Sequence, residues 1–399
     1  MERESNRTKG KTDIYNITAK TFSGLEDVLA KEIKIIGGTD IKPGNRAVFY
    51  KGNLEVIYRS NYYLRTALRI LKEVTAFRFR DVSQFYTKCK EAEWNRYLTQ
   101  DQSFMVTSTV LHSEDFRNSM FASLKVKDAI ADHFRKIAGK RPNVNTSNPD
   151  ITINVHINKN FCTLSLDSSG ESLHKRGYRS VQGEAPLNEV LAAGMILISG
   201  WNGNTDFIDP MCGSGTLPIE AALIARNIPP GKYRKRYSFE NWPDFDKTLL
   251  EYIKGKQTAG TFAKKIYASD ISETNIVKAK SNARYARVFP WISFKACDMK
   301  ELSIKTKDAT IIINPPYGER MKYQNLDEIY NMIGERLKHN FAGNSAWILT
   351  TSPEHLKYVG LKPSKKITLY NGPLKCIYAQ YPLFEGKRIY HLPGNLSEK

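Results

Sequence analysis

The feature that most constrains the fold is a regular alternation of short apolar strands and helices between residues 187 and 381. Strands are predicted at 206–209, 266–270, 292–295, 309–313, 346–350, 366–370 and 376–381. Helices are predicted between most of them, near 187–200, 217–227, 273–288, 326–341 and 353–360. This alternation is typical of an α/β fold with a mostly parallel sheet. The last two strands have no helix between them, so we expect an antiparallel pair turning at Asn371-Gly372.

The residues before position 170 follow a different pattern, in which strands and helices form smaller groups. Strands are predicted at 14–19, 47–50, 103–110, 151–157 and 160–167, and helices at 24–36, 53–71 and 119–137. The last two of these strands are expected to form a hairpin. The order of elements favours small α+β units ahead of the α/β half.

The charge of the chain points to a polyanionic partner. Among 399 residues there are 60 lysines and arginines against 41 aspartates and glutamates, a net charge of +19 at pH 7. An excess of this size attracts phosphates without regard to sequence. Five scattered cysteines without a C-x-x-C pattern favour reduced thiols in a cytoplasmic protein, with neither a disulfide framework nor a metal site. The longest apolar stretch, near 190–201, is too short to span a bilayer.

A glycine-rich turn, DPMCGSGT, follows the first strand of the alternation and runs from Asp209 to Thr216. Ligands of open α/β sheets bind beyond the carboxyl ends of the strands, where glycines let the backbone approach closely. Pro218 stands where a dinucleotide site would have its third glycine, and no Gly-Lys-Ser/Thr follows as in a P-loop. The turn is therefore predicted to hold a ligand without phosphates.

Two further acids follow the next two strands. Asp270 ends the second strand, where a carboxylate can accept both ribose hydroxyls of a nucleoside. Asp298 follows the third strand and could accept from an adenine amino group. Taken singly, each fits a loop or an N-cap residue better. Together with Asp209 they predict a nucleoside pocket along one edge of the sheet.

The fourth strand runs into the sequence Asn314-Pro315-Pro316-Tyr317. The prolines fix the backbone and remove N–H donors, so the Asn314 side-chain oxygen and the Pro315 carbonyl can each accept one hydrogen of an amino group. Tyr317 offers a ring on which an unpaired base can stack, a contact worth about 1–3 kcal/mol. The motif predicts the positioning of an exocyclic amine without naming the ring that carries it.

These segments resemble the Rossmann-like class I methyltransferases that act on exocyclic amino groups. A closer resemblance is to the THUMP-containing guanine-N2 methyltransferases of bacterial 23S ribosomal RNA. It rests on HKRGYR (174–179), APL (185–187), SGW (199–201), DPMCGSGTLPIEAALIA (209–225) and NPPYGER (314–320). The resemblance covers residues 170–388, and in the N-terminal part it is carried by the order of the elements.

The resemblance implies a domain order and a cofactor. It implies a ferredoxin-like segment at 1–60, a THUMP RNA-binding domain at 61–168 and a methyltransferase domain at 169–399 with a seven-stranded sheet whose last strand is antiparallel. S-adenosylmethionine would be the methyl donor. Some members carry a second methyltransferase domain, whereas this chain ends at Lys399 and is expected to catalyse one methylation.

The resemblance also assigns roles to the residues of the motifs. Its cofactor site would comprise the methionine-binding turn, the ribose acid and the adenine acid: Asp209, Pro210, Gly213, Ser214, Gly215, Asp270 and Asp298. The target base would be held by the four residues Asn314, Pro315, Pro316 and Tyr317.

Two basic segments are candidates for RNA contact. One lies in the link before the α/β half, with His174, Lys175, Arg176 and Arg179. The other lies among aromatic residues in an insertion at 231–242, with Lys232, Arg234, Lys235 and Arg236. Cations beside rings are typical of sites for single-stranded RNA. The aromatic residues could equally fasten the insertion to the body of the protein.

Several other functions stay open on the sequence alone. The amine-binding motif also serves a DNA adenine-N6 methyltransferase, a tRNA guanine-N2 methyltransferase or a glutamine methyltransferase acting on a protein. The THUMP-like N-terminal region favours RNA over DNA, and the net charge of +19 disfavours a protein substrate. A non-catalytic RNA-binding factor for ribosome assembly is a further alternative, disfavoured by the intact acids and the intact motif.

Overall fold

The computed structural model describes residues 13–179, 187–256, 258, 260–316 and 326–385. The chain divides into two compact units. The first comprises Met1–Gly177 with Pro229–Thr258, and the second comprises Tyr178–Ile228 with Ala259–Lys399. Each unit has its own sheet. In the part of the chain described, no helix is long and apolar enough to cross a membrane.

The first unit contains an eight-stranded sheet in the order β2-β3-β1-β4-β8-β7-β5-β6. Its strands are β1 (Tyr15–Lys20), β2 (Thr39–Gly44), β3 (Ala47–Gly52), β4 (Arg69–Arg78), β5 (Ser103–Leu111), β6 (Asn143–Val144), β7 (Ile151–Asn158) and β8 (Phe161–Asp167). Its helices are α1 (Glu26–Ile35), α2 (Leu54–Tyr63), α3 (Val82–Glu91), α4 (Ser119–Ala138) and, numbered along the chain, α7 (Lys247–Gly255). The hairpin predicted from the sequence is the antiparallel pair β7–β8.

Side-chain caps set where several of these helices begin. Asn53 accepts a hydrogen bond from the Val56 amide ahead of α2, and Asp81 does the same for the Gln84 amide ahead of α3. Such caps satisfy backbone N–H groups that a helix start leaves unpaired. At the other end of α4, Gly139 adopts φ 68°, a left-handed conformation that favours glycine.

The helix predicted at 53–71 is wrong in its second half. Helix α2 ends at Tyr63, and β4 begins at Arg69. Apolar residues recur at helical spacing through this stretch, but β4 pairs with β1 on one side and β8 on the other. The conformation of these residues is therefore decided by strand pairing on both sides of β4, which the local sequence does not reveal.

The insertion Pro229–Thr258 packs within the first unit. The Phe239 ring stacks on Tyr58 with 4.2 Å between centroids, and Lys72 forms an ion pair with Asp244 at 3.0 Å. The buried core of this unit includes the insertion residues Tyr237, Phe239, Trp242, Leu250 and Ile253. The sequence left open whether the aromatic residues of the insertion stack on RNA or attach the insertion to the rest of the protein. Their burial shows that they attach it to the first unit.

The second unit contains a seven-stranded sheet in the order β11-β10-β9-β12-β13-β15-β14. Its strands are β9 (Phe207–Asp209), β10 (Ile266–Asp270), β11 (Ile292–Ala296), β12 (Thr310–Ile313), β13 (Ser345–Thr350), β14 (Lys365–Asn371) and β15 (Leu374–Pro382). Its α-helices are α5 (Glu189–Ser199), α6 (Thr216–Ala225), α8 (Glu273–Tyr285) and α9 (Leu326–Asn340). The segment Pro353–Val359, predicted as a helix, is a 3-10 helix.

The strand directions confirm the predicted fold class. Parallel pairing joins β11, β10, β9, β12 and β13. Strand β15 runs antiparallel to both of its neighbours, β13 and β14. The sheet is thus the mixed α/β sheet with one reversed strand that the sequence predicted. The domain boundaries predicted at 60 and 168 stay predictions.

A close contact between α9 and the 3-10 helix gives a test of the packing. A Cβ atom at Gly334 would lie 1.9 Å from the Val359 carbonyl oxygen. We expect Gly334→Ala to lower the free energy of unfolding by about 1–3 kcal/mol in urea denaturation, although alanine favours helix. Gly255→Ala is the control, because a Cβ there meets no heavy atom within 4 Å. Equal stability of both variants would contradict the packing described.

Candidate active site

The predicted site residues of the second unit gather at one edge of its sheet. Asp209 is the last residue of β9, and Asp270 is the last residue of β10. Asp298 follows β11, and Asn314 follows β12. Because these four strands are mutually parallel, their carboxyl ends meet at the same edge. The structure therefore brings together residues separated by more than a hundred positions in the sequence.

Hydrogen bonds hold the glycine turn against the neighbouring strand. The Cys212 amide donates to the Ser269 carbonyl at 2.8 Å, and the Gly213 amide donates to Asp270 Oδ2 at 2.9 Å. From the other side, the Asn282 side chain of α8 donates to the Ser214 carbonyl at 3.1 Å. The turn is thus anchored to β10 and α8 at several points. The buried Pro210 leads into it from β9.

The two glycines of the turn serve different purposes. Gly215 has φ 87°, and a Cβ there would lie 3.0 Å from the Ala279 side chain of α8. Gly213 has φ 52°, and a Cβ there would meet no heavy atom of the described residues within 4 Å. Gly215 is therefore needed for helix packing. Gly213 leaves free space against an accessible backbone, as a ligand held by this turn requires.

The electrostatics of Asp209 favour a positively charged ligand group. Its side chain is 1% exposed, and Oδ1 accepts a hydrogen bond from the Met211 amide at 3.2 Å. Burial, followed by the negative charge of Asp270, raises the pKa of Asp209 well above its usual range. A cation bound beside it would lower this pKa and relieve the cost of the buried charge. The ammonium group of an amino acid moiety has the charge that fits.

Hydrogen bonds within the protein hold the Asp270 carboxylate in one orientation. In addition to the Gly213 amide, it accepts hydrogen bonds at Oδ1 from the Ser272 amide at 2.9 Å and from the Asn275 side chain at 3.1 Å. A carboxylate has about four acceptor positions, so Oδ2 can still accept one further hydrogen bond, from a ligand hydroxyl. This arrangement is compatible with the ribose role implied by the sequence.

An unsatisfied acceptor marks the end of β12. Asn314 Oδ1 is buried and accepts no hydrogen bond from any residue that the structure describes. Pro315 is buried and Pro316 is half-buried, and Tyr317 lies outside the described residues. A buried acceptor without a donor costs about 1–3 kcal/mol, so such an atom is expected where a ligand supplies the donor.

Sequence reasoning missed Ile271, which directly follows Asp270. Its side chain is 65% exposed, a large fraction for an apolar residue beside a site carboxylate. An apolar flank suits the face of a planar ring, whereas Asp270 suits a sugar. The signal was present in the sequence as an apolar residue just beyond the strand-end acid.

The cysteine of the glycine turn, Cys212, is buried. Burial, followed by the charges of Asp209 and Asp270, raises the pKa of the Cys212 thiol well above its usual range. A protonated thiol is a poor nucleophile. This agrees with transfer that needs no covalent intermediate on the protein. Among the residues described, no group of three or more His, Cys, Asp or Glu could hold a metal ion.

The arginines predicted to contact RNA are largely engaged within the protein. Arg234 donates to four carbonyl oxygens, those of Ser169, Glu171, Ser172 and Lys175, at 2.9–3.2 Å. Arg176 is 2% exposed and donates to the carbonyls of Leu173 and Arg65. Arg179 is bound by partners of the second unit. These three guanidiniums stabilise the fold.

The remaining basic candidates are accessible. His174 is half-buried, with Nδ1 at 2.8 Å from the Ser172 hydroxyl. The exposed residues are Lys175, Lys232, Lys235 and Arg236. Exposure leaves these cations available to phosphates, so they are the candidate contacts in this part of the chain.

Comparison with known proteins agrees with the fold and with the site. The RMKL-like methyltransferase domain model matches residues 176–380, the THUMP domain model 79–167 and the RlmL ferredoxin-like domain model 16–71. The relative slr0064 of Synechocystis sp., a candidate RNA methyltransferase, is 34% identical over 94% of this chain and 99% of its own length. The ribosomal RNA large subunit methyltransferase K/L of Psychromonas ingrahamii is 36% identical over 90% of this chain. This chain spans 49% of that protein.

Two solved structures are similar over nearly the whole chain. A methyltransferase candidate, SMU.472, in complex with SAH has a TM-score of 0.85 at 30% identity, covering 94% of this chain and 100% of that chain. A Listeria monocytogenes protein named for N6-adenine-specific DNA methylation has a TM-score of 0.83 at 30% identity, covering 93% and 97%. The sheet and its edge define a class I methyltransferase. The chain belongs to the RMKL-like methyltransferase family, with THUMP and ferredoxin-like domains before the catalytic one.

The raised pKa of Asp209 predicts a pH-dependent effect of its neutralisation. The folded state binds the Asp209 proton more tightly than the unfolded state, so wild-type stability falls as pH rises toward the folded-state pKa. Asp209→Asn cannot be charged. We expect it to raise the free energy of unfolding of the ligand-free protein by about 1–2 kcal/mol near neutral pH, and by less at about pH 5.

Denaturation curves across this pH range test the expectation. Asp298→Asn is the matched control, because Asp298 lies at the same edge but is partly exposed. A gain for Asp209→Asn that is independent of pH would refute the assignment of a buried, costly carboxylate.

Proposed function

We propose that the protein transfers a methyl group from S-adenosylmethionine to the exocyclic N2 amine of a guanine in large-subunit ribosomal RNA. The observation that carries the proposal is the buried Oδ1 of Asn314, which accepts no hydrogen bond from the described residues and lies at the edge shared with Asp209 and Asp270. A lone acceptor beside a nucleoside pocket fits an incoming amino group. The site needs only to hold that amine and the cofactor in line.

The cofactor role of the strand ends follows from their chemistry. Asp209 binds the ammonium group of the methionine end, and Asp270 Oδ2 accepts from a ribose hydroxyl. Ile271 covers one face of the adenine, and Asp298 accepts from its amino group. The open space at Gly213 lets the methionine end reach the backbone of the turn. When bound, S-adenosylmethionine supplies an electrophilic methyl group on a sulfonium.

The protein contributes orientation to the reaction. Asn314 Oδ1 and the Pro315 carbonyl each accept one N–H of the target amine, which turns the nitrogen lone pair toward the methyl group. Pro315 and Pro316 have no N–H to compete for these acceptors. Holding the reactants in line can supply several kcal/mol of the barrier reduction. Tyr317 is proposed to stack on the base that carries the amine.

The choice of RNA, and of guanine, rests on separate support. The net charge of +19 and the THUMP domain favour an RNA partner, and the Psychromonas ingrahamii relative is named for large-subunit ribosomal RNA. Such a substrate places the reaction in the cytoplasm, where the five free cysteines stay reduced. Transfer RNA guanine and DNA adenine remain the competing substrates. The DNA alternative has support in the name of the Listeria monocytogenes protein.

The substrate is tested by supplying all three nucleic acids. Purified protein and labelled S-adenosylmethionine are incubated with 23S ribosomal RNA, transfer RNA and DNA from a strain in which the gene is deleted. The nucleosides are then analysed by mass spectrometry. We expect N2-methylguanosine in 23S RNA, at a single position. Methylation of DNA adenine, or of transfer RNA alone, would overturn the ribosomal assignment.

Asn314→Ala tests the amine acceptor. We expect the rate of methyl transfer to fall by about 100-fold or more, because a preorganised hydrogen bond to the reacting group is removed. S-adenosylmethionine affinity, measured by calorimetry, should stay within about twofold, since the cofactor residues lie on other strands. Asn340→Ala, at an exposed asparagine that ends α9, serves as the control. Normal turnover by Asn314→Ala would remove this residue from the mechanism.

The exposed cations of the insertion are tested together. A triple change to alanine at Lys232, Lys235 and Arg236 should weaken RNA binding and reduce the slope of log K against log salt by about 0.7–0.9 for each phosphate that is no longer neutralised. The control removes three exposed lysines elsewhere in the first unit, at positions 31, 34 and 42, with the same change in net charge. Equal losses of affinity in both variants would indicate non-specific attraction only.

A further inference from the structure

Arg179 is held inside the second unit by three partners. Its Nε pairs with the Glu189 carboxylate, and the exposed fractions of the two side chains are 14% and 5%. Its Nη2 donates to the Leu187 carbonyl at 3.0 Å and to the Thr216 hydroxyl at 2.9 Å. The guanidinium that the sequence assigned to RNA is therefore directed at the interior of this unit.

The hydroxyl that Arg179 binds belongs to the start of helix α6. Thr216 is the first residue of α6, and Gly215 of the glycine turn immediately precedes it. The adjacent Tyr178, 1% exposed, donates its hydroxyl to Glu220 at 3.0 Å, one turn further along the same helix. Two consecutive residues thus hold the first turns of α6. Any shift of this helix start would move the glycine turn with it.

Charge alone does not explain an arginine at this place. A cation near a helix N-terminus opposes the helix dipole and destabilises it. Glu189 offsets this charge, and as the first residue of α5 it stands where an acidic side chain is favourable. What arginine provides is a planar group that donates in several fixed directions at once. It joins Leu187, Glu189 and Thr216 through donors fixed in one plane, which the single ammonium nitrogen of a lysine does not offer.

We propose that Arg179 is a positioning residue for the cofactor turn. Its bonds to Thr216 and Glu189 fix the N-terminal turn of α6, and with it the backbone of Gly213–Gly215 against which S-adenosylmethionine binds. The residue acts through Thr216 and sets cofactor affinity, with no part in RNA affinity. The inference rests on the proposed function, because it takes this edge of the sheet as the cofactor site.

Two variants weaken the network without leaving a buried charge unpaired. Thr216→Val keeps the shape of the side chain and the Arg179–Glu189 pair but removes the accepting hydroxyl. Arg179→Lys keeps the charge but loses the planar group whose separate nitrogens reach these partners. Thr216→Ser restores the hydroxyl and is the rescue control. For each variant, the Kd for S-adenosylmethionine is measured by calorimetry, the Kd for 23S RNA by filter binding at several salt concentrations, and Tm by thermal unfolding.

We expect the Kd for S-adenosylmethionine to rise about 3- to 10-fold in Thr216→Val and Arg179→Lys, the effect of removing one hydrogen bond. Thr216→Ser should bind like wild type, and the Kd for RNA and its salt dependence should be unchanged throughout. Unchanged cofactor affinity with a lower Tm would overturn the proposal in favour of simple packing. Weaker RNA binding in Arg179→Lys with unchanged cofactor affinity would overturn it in favour of a direct RNA contact. If wild type binds no S-adenosylmethionine, the proposed function itself fails, and the inference with it.

Discussion

The parallel pairing of β9 with β10 on one side and β12 on the other is the constraint on which the site depends. Strand β9 has only three residues, but it is fully buried and lies between β10 and β12. Its pairing with both strands fixes their register relative to each other. Because all three strands point the same way, Asp209, Asp270 and Asn314 emerge at one edge. The glycine turn then has to lie across this edge, where the Asp270 carboxylate and α8 hold it.

The fate of the basic residues shows how a net charge can mislead. The chain carries +19, and sequence reasoning gave eight cationic or titratable side chains to RNA. Of these, Arg176, Arg179 and Arg234 direct their donors to carbonyls, a carboxylate and a hydroxyl within the protein. Arginine does this readily because its five N–H groups can satisfy several carbonyls that would otherwise be unpaired. Whether a cation can bind phosphate depends on the exposure of its side chain, which cannot be read from the sequence.

The α/β half could be predicted strand by strand, whereas several elements of the first unit could not. Buried parallel strands such as β12 are short apolar runs bounded by turns, a signal that stands out locally. In the first unit, β2 and α3 went unrecognised, and the helix predicted at 53–71 ran into β4. The residues of these elements are half polar, and their conformation is decided by partners far along the chain. The placement of Pro229–Thr258 with the first unit depends on contacts such as Lys72–Asp244, which leave no trace in local periodicity.

The strand-end positions of the candidate site residues could be predicted more fully than their surroundings, because each ends or follows a short apolar strand. Residue type and strand position in the sequence pointed to Asp209, Asp270 and Asn314. The sequence did not reveal the raised pKa of Asp209 or the unsatisfied acceptor of Asn314. In the ligand-free protein, Asp209 is a buried carboxylate with a raised pKa and Asn314 Oδ1 is an acceptor that no described residue satisfies. Both features destabilise the fold by themselves and are relieved by a cation and an amine. Because the glycine turn is already held against Asp270 and α8, such a site has little reorganisation left to perform when its ligands arrive.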